Sequence, residues 1–406
     1  MAALLSVADA LARVLDGAAP LPAENVTLLD ACGRVLASDI AALRTQPPED
    51  LSAMDGYAVR ASSVEHVPAM LRVIGEVAAG HPFDGAVGDG DAARIFTGGV
   101  VPPGADTIVI QENSARDGSQ VTVTTGSPRG RHIRRAGLDF KQGAVLLPKG
   151  RRLTDRDLML AAAMNHPTVP VHRRPKVAVL GTGDELKTPG TTPGPGEIIY
   201  SNGYALMALA RTEGAEVIDL GIVPDRIKAT VAAIRRARQS GADILLTSGG
   251  ASVGDYDLVQ KGLAAEGLEL SFWRVALRPG RPMMHGRLGD MQVIGLPGNP
   301  VSAYVCAVLF LVPLIRRLSG RADVPPKTES AKLGSDLPQN DERADYMRAT
   351  LATGTDGTAV ATPVPVQDSS MMAALAKADC LVIREPFAPA VKAGGDCVIL
   401  RLTSAF

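Results

Sequence analysis

Residues 247–257, TSGGASVGDYD, place three glycines and two carboxylates directly after an apolar run. Glycine-rich turns expose backbone N–H groups that bind phosphate, and such turns ordinarily recruit Lys or Arg to complete the neutralisation. Here Asp255 and Asp257 stand in that place. The stretch lacks the Gly-Lys-Ser/Thr of a P-loop, and Gly249, Gly250 and Gly254 are not spaced as a dinucleotide fingerprint. Acids and anion binders meet elsewhere too. GTGDEL (181–186) carries Asp184 and Glu185, and RGRHIRRAGLDF (129–140) sets Arg134 and Arg135 beside Asp139. LRPGRP (277–282) holds Arg278 and Arg281 in a turn stiffened by two prolines, and guanidinium is the side chain best matched to an oxyanion. GLPGNPVSAY places Asn299 at an N-cap position and Pro300 in the first turn, with Ser302 on the helix end whose free N–H groups would face a ligand. Asp55 lies in SAMDGYAVR, and Thr97 in RIFTGG. Each stretch has a plainer reading as well: helix-capping acids, a solvated arginine pair, a capped core helix, an Asp-Gly turn. What joins them is that a divalent cation, typically magnesium, lets carboxylates and a phosphate share one site. The composite expectation is a metal-assisted reaction on a phosphate-containing ligand, with arginines holding a second oxyanion.

The elements that must position these loops are clearest over residues 176–325. KVAVLG, EVIDLGIV, DILLTS, SFWRVAL and MQVIGL read as strands, and helices are expected after Ser201, over 225–240 and over 257–266. Strands alternating with such helices argue for parallel β-α-β units in a doubly wound α/β sheet, with ligands outside the carboxyl ends of the strands. Residues 42–136 are rich in Gly and Pro with short alternating runs and read as a β-rich lobe. Residues 326–406 read as a C-terminal β domain. Helices near 6–16 and 154–164 are expected to pack together, so that 1–41 and 137–175 form one mixed domain interrupted by the lobe. The chain is thus read as α/β multidomain.

At 406 residues several cores are required, and a net charge of −1 from 42 basic and 43 acidic residues gives no field that would draw nucleic acid or anionic lipid. The six histidines and four cysteines show neither His-x-x-x-His nor Cys-x-x-Cys spacing, which excludes a zinc or disulfide framework and suits a reducing, cytoplasmic setting. The start of the chain carries Asp9 and Asp16 in an amphipathic pattern and reads as a folded helix. The apolar run at 301–315 is shorter than the roughly 20 residues a membrane span needs and contains Pro313, so a buried helix and no membrane are expected.

Taken in order, SAMDGYAVR, RIFTGG-VVPPGADTIV, IRRAGLDF, GTGDEL, TSGGASVGDYD, RPGRP and GLPGNPVSA closely resemble the molybdopterin molybdenumtransferase family, the molybdenum insertases that include the bacterial enzyme and the gephyrin E domain. The resemblance spans essentially the whole chain. It implies a four-domain protomer that forms a homodimer, with the cleft between the α/β domain of one subunit and the β lobe of the other. It also implies that molybdenum from molybdate is inserted into adenylylated molybdopterin with release of AMP, assisted by magnesium. Carried onto matching positions, Asp55, Thr97, Asp139, Glu185, Asp225 and Asp257 become cleft residues, with Asp55 and Glu185 at the metal. Gly249, Gly250 and Ser252 belong to the glycine-rich binding loop. Arg278, Arg281, Ser302, Arg343 and Ser369 correspond to the molybdate pocket. The family usually has lysine at both arginines of RPGRP, and Asp368 here enters a segment that is otherwise glycine-serine. Further implied partners are the adenylyltransferase and recipient molybdoenzymes. Competing readings are a molybdopterin adenylyltransferase, which resembles the 176–325 domain alone, and a non-catalytic scaffold of the gephyrin E-domain type.

Overall fold

The computed structural model describes residues 4–249 and 258–402. Its centre is a six-stranded sheet in which Glu216–Val223, Lys176–Thr182, Ile244–Ser248, Met291–Leu296, Met284–Leu288 and Glu269–Trp273 lie side by side. The first four run parallel. Met284–Leu288 is antiparallel to both its neighbours. The expected parallel β-α-β units are present, and one further strand that periodicity did not single out runs the other way. The reason is local: only Gly289 and Asp290 separate Met284–Leu288 from Met291–Leu296, and so short a link reverses the chain.

SFWRVAL also departs from expectation, because it divides between two sheets. Its first part ends the central sheet at Trp273, Arg274 adopts a positive φ of 87°, and Leu277–Arg278 pairs with Ala344–Asp345 of the C-terminal sheet. That second sheet closes on itself, since Ala344–Thr353 pairs with both Ala359–Pro363 and Cys380–Arg384. The result is a small barrel, which leaves no edge apart from the short added strand.

Helices cover the central sheet on both faces. The most apolar is the helical run Pro300–Leu318, 19 residues long and by length and composition apolar enough to cross a membrane, yet 83% of it is buried in the main core. Its middle widens to a π-type turn at Ala307–Leu311 ahead of Pro313, whose missing N–H cannot bond the carbonyl one turn back. Helix starts differ from sequence expectation by small amounts. The helix read from 225 begins at Ile227, and the one read from 257 is described from Leu258.

Residues 42–136 contribute a third six-stranded sheet, its strands running in chain order from Gly56–Val59 to Gln120–Val123. The segments flanking it meet through Ala23–Thr27 against Thr168–His172, and share a core of Leu36, Ile40, Leu153, Met164 and Val171. The expected contact between the two helices of this region is not what forms it. Val7–Leu15 buries Ala10 and Val14 in the central core, while Asp155–Ala163 buries Ala161 among the flanking segments. The apolar stripe of the first helix is satisfied by the larger surface of the Pro300–Leu318 helix.

Candidate active site

A cavity of about 480 Å³ opens at the carboxyl edge of the central sheet, lined by Thr182, Glu185, Ser248, Gly249, Asn299 and Ser370 among others. Gly249 makes the turn into the glycine-rich loop with φ of 93°, and a Cβ there would sit 2.8 Å from the carbonyl oxygen of Thr182. Tyr200 forms part of the wall, its ring lying so close to Gly181 and Gly203 that a methyl on either would collide with it. Burial pushes the Tyr200 phenol up to about 12, so it stays a neutral wall at ordinary pH. A second cavity of about 500 Å³ continues past Ser201, Asn202, Pro300 and Met372 toward Leu375 and Leu402. Gly250, Ser252, Asp255 and Asp257 lie outside the described residues.

Glu185 stands on the rim of the first cavity with its carboxylate folded back over Gly183, and that carboxylate takes no hydrogen bond or ion pair from any described residue. Asp184 instead accepts the backbone N–H of Asp225 at 3.2 Å, tying that loop to the next strand end. Asp225 is exposed at the start of the 227–239 helix.

Asp55 and Thr97 meet on the β lobe. One oxygen of Asp55 accepts both the backbone N–H of Thr97 at 2.8 Å and its hydroxyl at 2.9 Å. These two bonds hold the Asp55 carboxyl below the ordinary range, so it is ionised at neutral pH. The neighbouring Arg94 donates to the Gly56 carbonyl and lies over the rings of Tyr57 and Phe96. Asp139 is exposed just after the lobe, in the flanking segment, its backbone N–H bonded to the Gln46 carbonyl at 3.1 Å. None of Asp55, Thr97 and Asp139 lines the strand-end cavity of its own chain. Among the described residues no three His, Cys, Asp or Glu side chains converge as a metal cage.

The arginines of the 277–282 turn differ sharply from each other. Arg278 is already satisfied: it donates to Asp341 at 3.1 Å, to Asn340 at 3.1 Å and to the buried Asp345 at 2.5 Å. Asp341 is also held by Arg343 at 2.6 Å. The Arg343 side chain, then its backbone N–H and the Arg278 charge, bring the Asp341 carboxyl down to about 2. Arg281 is exposed and makes no ion pair with any described residue. Gly280, between them, packs on Cys306, one turn along the helix from the buried Ser302.

Ser369 meets the start of that helix in an unexpected way. Asn299 occupies the N-cap position but caps nothing with its side chain; its amide donates to the Ser369 hydroxyl at 2.8 Å. The Ser369 carbonyl accepts the Val301 N–H at 3.0 Å, so one of the N–H groups expected to face a ligand is taken. Ser201 likewise gives no helix cap and points its hydroxyl at the Met372 sulfur, 3.2 Å away. Asp368 does not lean on this junction; its carboxylate accepts the backbone N–H and hydroxyl of Ser370.

Two residues that pattern reading passed over help organise the site. Asn202 donates to Ser248 at 2.8 Å and to the Gly298 carbonyl at 2.7 Å, pinning two strand-end loops together. Its only signal was a polar amide opening a helix after a buried tyrosine. Asp341 was signalled by an acid two residues before Arg343, a spacing that lets a carboxylate meet its neighbour's guanidinium.

Three family descriptions divide the chain: the MoeA N-terminal region (domain I and II) matches residues 5–165, a probable molybdopterin binding domain 178–317, and the MoeA C-terminal region (domain IV) 330–402. A molybdopterin molybdenumtransferase from Haemophilus influenzae is 35% identical over 94% of this chain and 94% of its own. One from Nostoc sp. is 40% identical over 74% of this chain and 70% of its own. The crystal structure of a molybdopterin biosynthesis MoeA protein from Pyrococcus horikosii superposes with a TM-score of 0.85 at 29% identity, covering 99% of this chain and 100% of that one. With the motifs in order and near end-to-end similarity in both sequence and structure, the chain belongs to the molybdopterin molybdenumtransferase family.

Proposed function

We propose that this chain inserts molybdenum from molybdate into adenylylated molybdopterin and releases AMP. The observation that carries the reading is Glu185: a carboxylate with no partner among the described residues, on the rim of a cavity built from glycine-rich strand ends, which is where a phosphate-bearing ligand would sit. In the transfer, the two dithiolene sulfurs take the place of one oxo ligand, which leaves as water with the two thiol protons. Molybdenum keeps its oxidation state. Cleavage of the adenylate consumes a further water.

Magnesium fits this donor set, because it keeps several waters and asks for one or two carboxylates besides substrate phosphate. Glu185 would hold it, with Asp55 as the second carboxylate, and the ion would neutralise the phosphate at cleavage. Asp55 and Thr97 stand on the β lobe and Asp139 just after it, away from this cavity, so this reading needs two copies of the chain, each giving that region to the other's cavity. Asp225 and the loop carrying Gly249, Gly250, Ser252 and Asp257 then frame the adenylate. Arg281, Arg343, Ser302 and Ser369 receive molybdate, with Arg278 holding the acids that steady Arg343. All four cysteines are free, which suits the cytoplasm, where the adenylyltransferase and recipient molybdoenzymes would exchange ligand with this chain.

The test is AMP release from the purified chain given adenylylated molybdopterin and magnesium, with and without molybdate. Release that depends on molybdate and yields metal-loaded pterin is the expected result. Consumption of ATP on metal-free molybdopterin instead would move the assignment to an adenylyltransferase, and silence in both would leave a scaffold.

A further inference from the structure

Arg94 makes no ion pair with any described residue, and its side chain reaches across the ends of three strands of the β lobe, Gly56–Val59, Asp91–Ile95 and Thr107–Ile110. Nη1 donates to the Gly56 carbonyl at 3.1 Å and Nη2 to the Gln111 side-chain oxygen at 2.8 Å. The guanidinium carbon lies 4.7 Å from the centre of the Phe96 ring and 5.2 Å from that of Tyr57. These contacts converge on the Asp55–Thr97 pair. Gly56 follows Asp55, and Phe96 precedes Thr97. Gln111 completes the set, because its backbone N–H donates to the Asp55 carbonyl at 3.0 Å.

The sheet does not need this side chain to hold together. Gly56 already pairs with Ile95 and Ile110 through the backbone, and two apolar clusters form the cores of the lobe, one with Tyr57, Val59 and Val109, the other with Ala58, Ile95 and Ile108. A planar fork over two rings adds donors in fixed directions at one end of the ladder, which an ammonium cannot match. That end carries the acid. One Asp55 oxygen takes both Thr97 donors, which leaves the other without a donor among the described residues. We propose that Arg94 is a positioning residue: it clamps the strand ends that carry Asp55 and Thr97, fixes the aim of the second Asp55 oxygen, and acts through that carboxylate without touching substrate. The inference rests on the reading that Asp55 serves the transfer.

Arg94→Met and Arg94→Lys are compared with the full wild-type chain by amide hydrogen exchange and by steady-state AMP release. Faster exchange is expected at Thr97 and Gln111, whose N–H groups both bond Asp55, with the Ala69–Val77 strand as protected as in the wild type. In both variants kcat should fall about tenfold while KM for adenylylated molybdopterin stays within about threefold. Lysine keeps the charge and loses the fork, so wild-type kcat in Arg94→Lys overturns the clamp. Adding Arg94→Met to an Asp55→Ala chain should lower kcat by no more than about twofold, because nothing is then left to position. A full further tenfold loss overturns the proposal, as does unchanged exchange at Thr97. If Arg94→Met fails to fold, Gln111→Ala, at an exposed position, removes the Nη2 acceptor and is read in the same way. A wild-type chain that releases no AMP refutes the proposed reaction, and exchange at Thr97 then decides the clamp alone.

Discussion

At the strand-end cavity the carboxylate of Glu185 meets no donor among the described residues, whereas beside the 277–282 turn the carboxylate of Asp341 is shared by Arg278 and Arg343. Both are acids in loops, Glu185 in GTGDEL and Asp341 in PQNDER. One is left open; the other is consumed by the fold. A charge that its own chain has neutralised holds architecture together, while a charge left unpaired at a cavity is available to a ligand. By this criterion we propose Glu185 and Arg281 as the groups left available to a ligand and Arg278 as a brace.

The largest effect expected from that contrast is on turnover. Glu185→Ala and Asp55→Ala should each lower kcat by about a hundredfold or more with the fold retained, measured by AMP release and circular dichroism. Wild-type turnover in either would remove that residue from the site. Arg281→Ala should raise the molybdate KM by about tenfold and leave stability intact. Arg278→Ala should do the reverse. It strips the buried Asp345 of its donor, so denaturant unfolding should report a loss of about 1–3 kcal/mol. Equal behaviour of the two variants would dissolve the distinction.

A smaller effect concerns pH. The Asp341 carboxyl is depressed from 3.8 to about 2 in the folded chain, so its contribution to stability is complete above about pH 4 and is lost as pH falls toward 2. Asp341→Asn should flatten that part of an acid-unfolding profile, and an unaltered profile would show that the bridge contributes nothing. The smallest change is expected from Asn202→Ala, which removes two bonds between strand-end loops and should cost about 1 kcal/mol with a modest rise in KM for the pterin substrate.

Much of this was legible in the sequence because periodicity reports one face at a time. The parallel strands of the centre, the helix Pro300–Leu318 and the β lobe each carry their own apolar pattern, and each was read. What escaped depended on neighbours distant in the chain. Nothing in SFWRVAL says that its last residues belong to another sheet, since both halves are equally apolar. Asn299 was placed correctly as an N-cap position yet does not act as one, because Ser369, 70 residues on, supplies the acceptor. Arg278 and Arg281 look equivalent in RPGRP, and only the arrival of Asn340, Asp341 and Asp345 separates them. Spacing shows which groups are present; tertiary contact decides which remain free.

The strand that divides between two sheets has a consequence for cooperativity. Leu277–Arg278 belongs to the barrel while Glu269–Trp273 belongs to the central sheet, and Tyr346, Leu381 and Leu400 of the barrel lie in the same buried cluster as the central helices. Neither unit owns its apolar surface outright. Heating should therefore melt the two in one transition, and a chain cut after Pro325 should aggregate rather than persist as a smaller α/β protein.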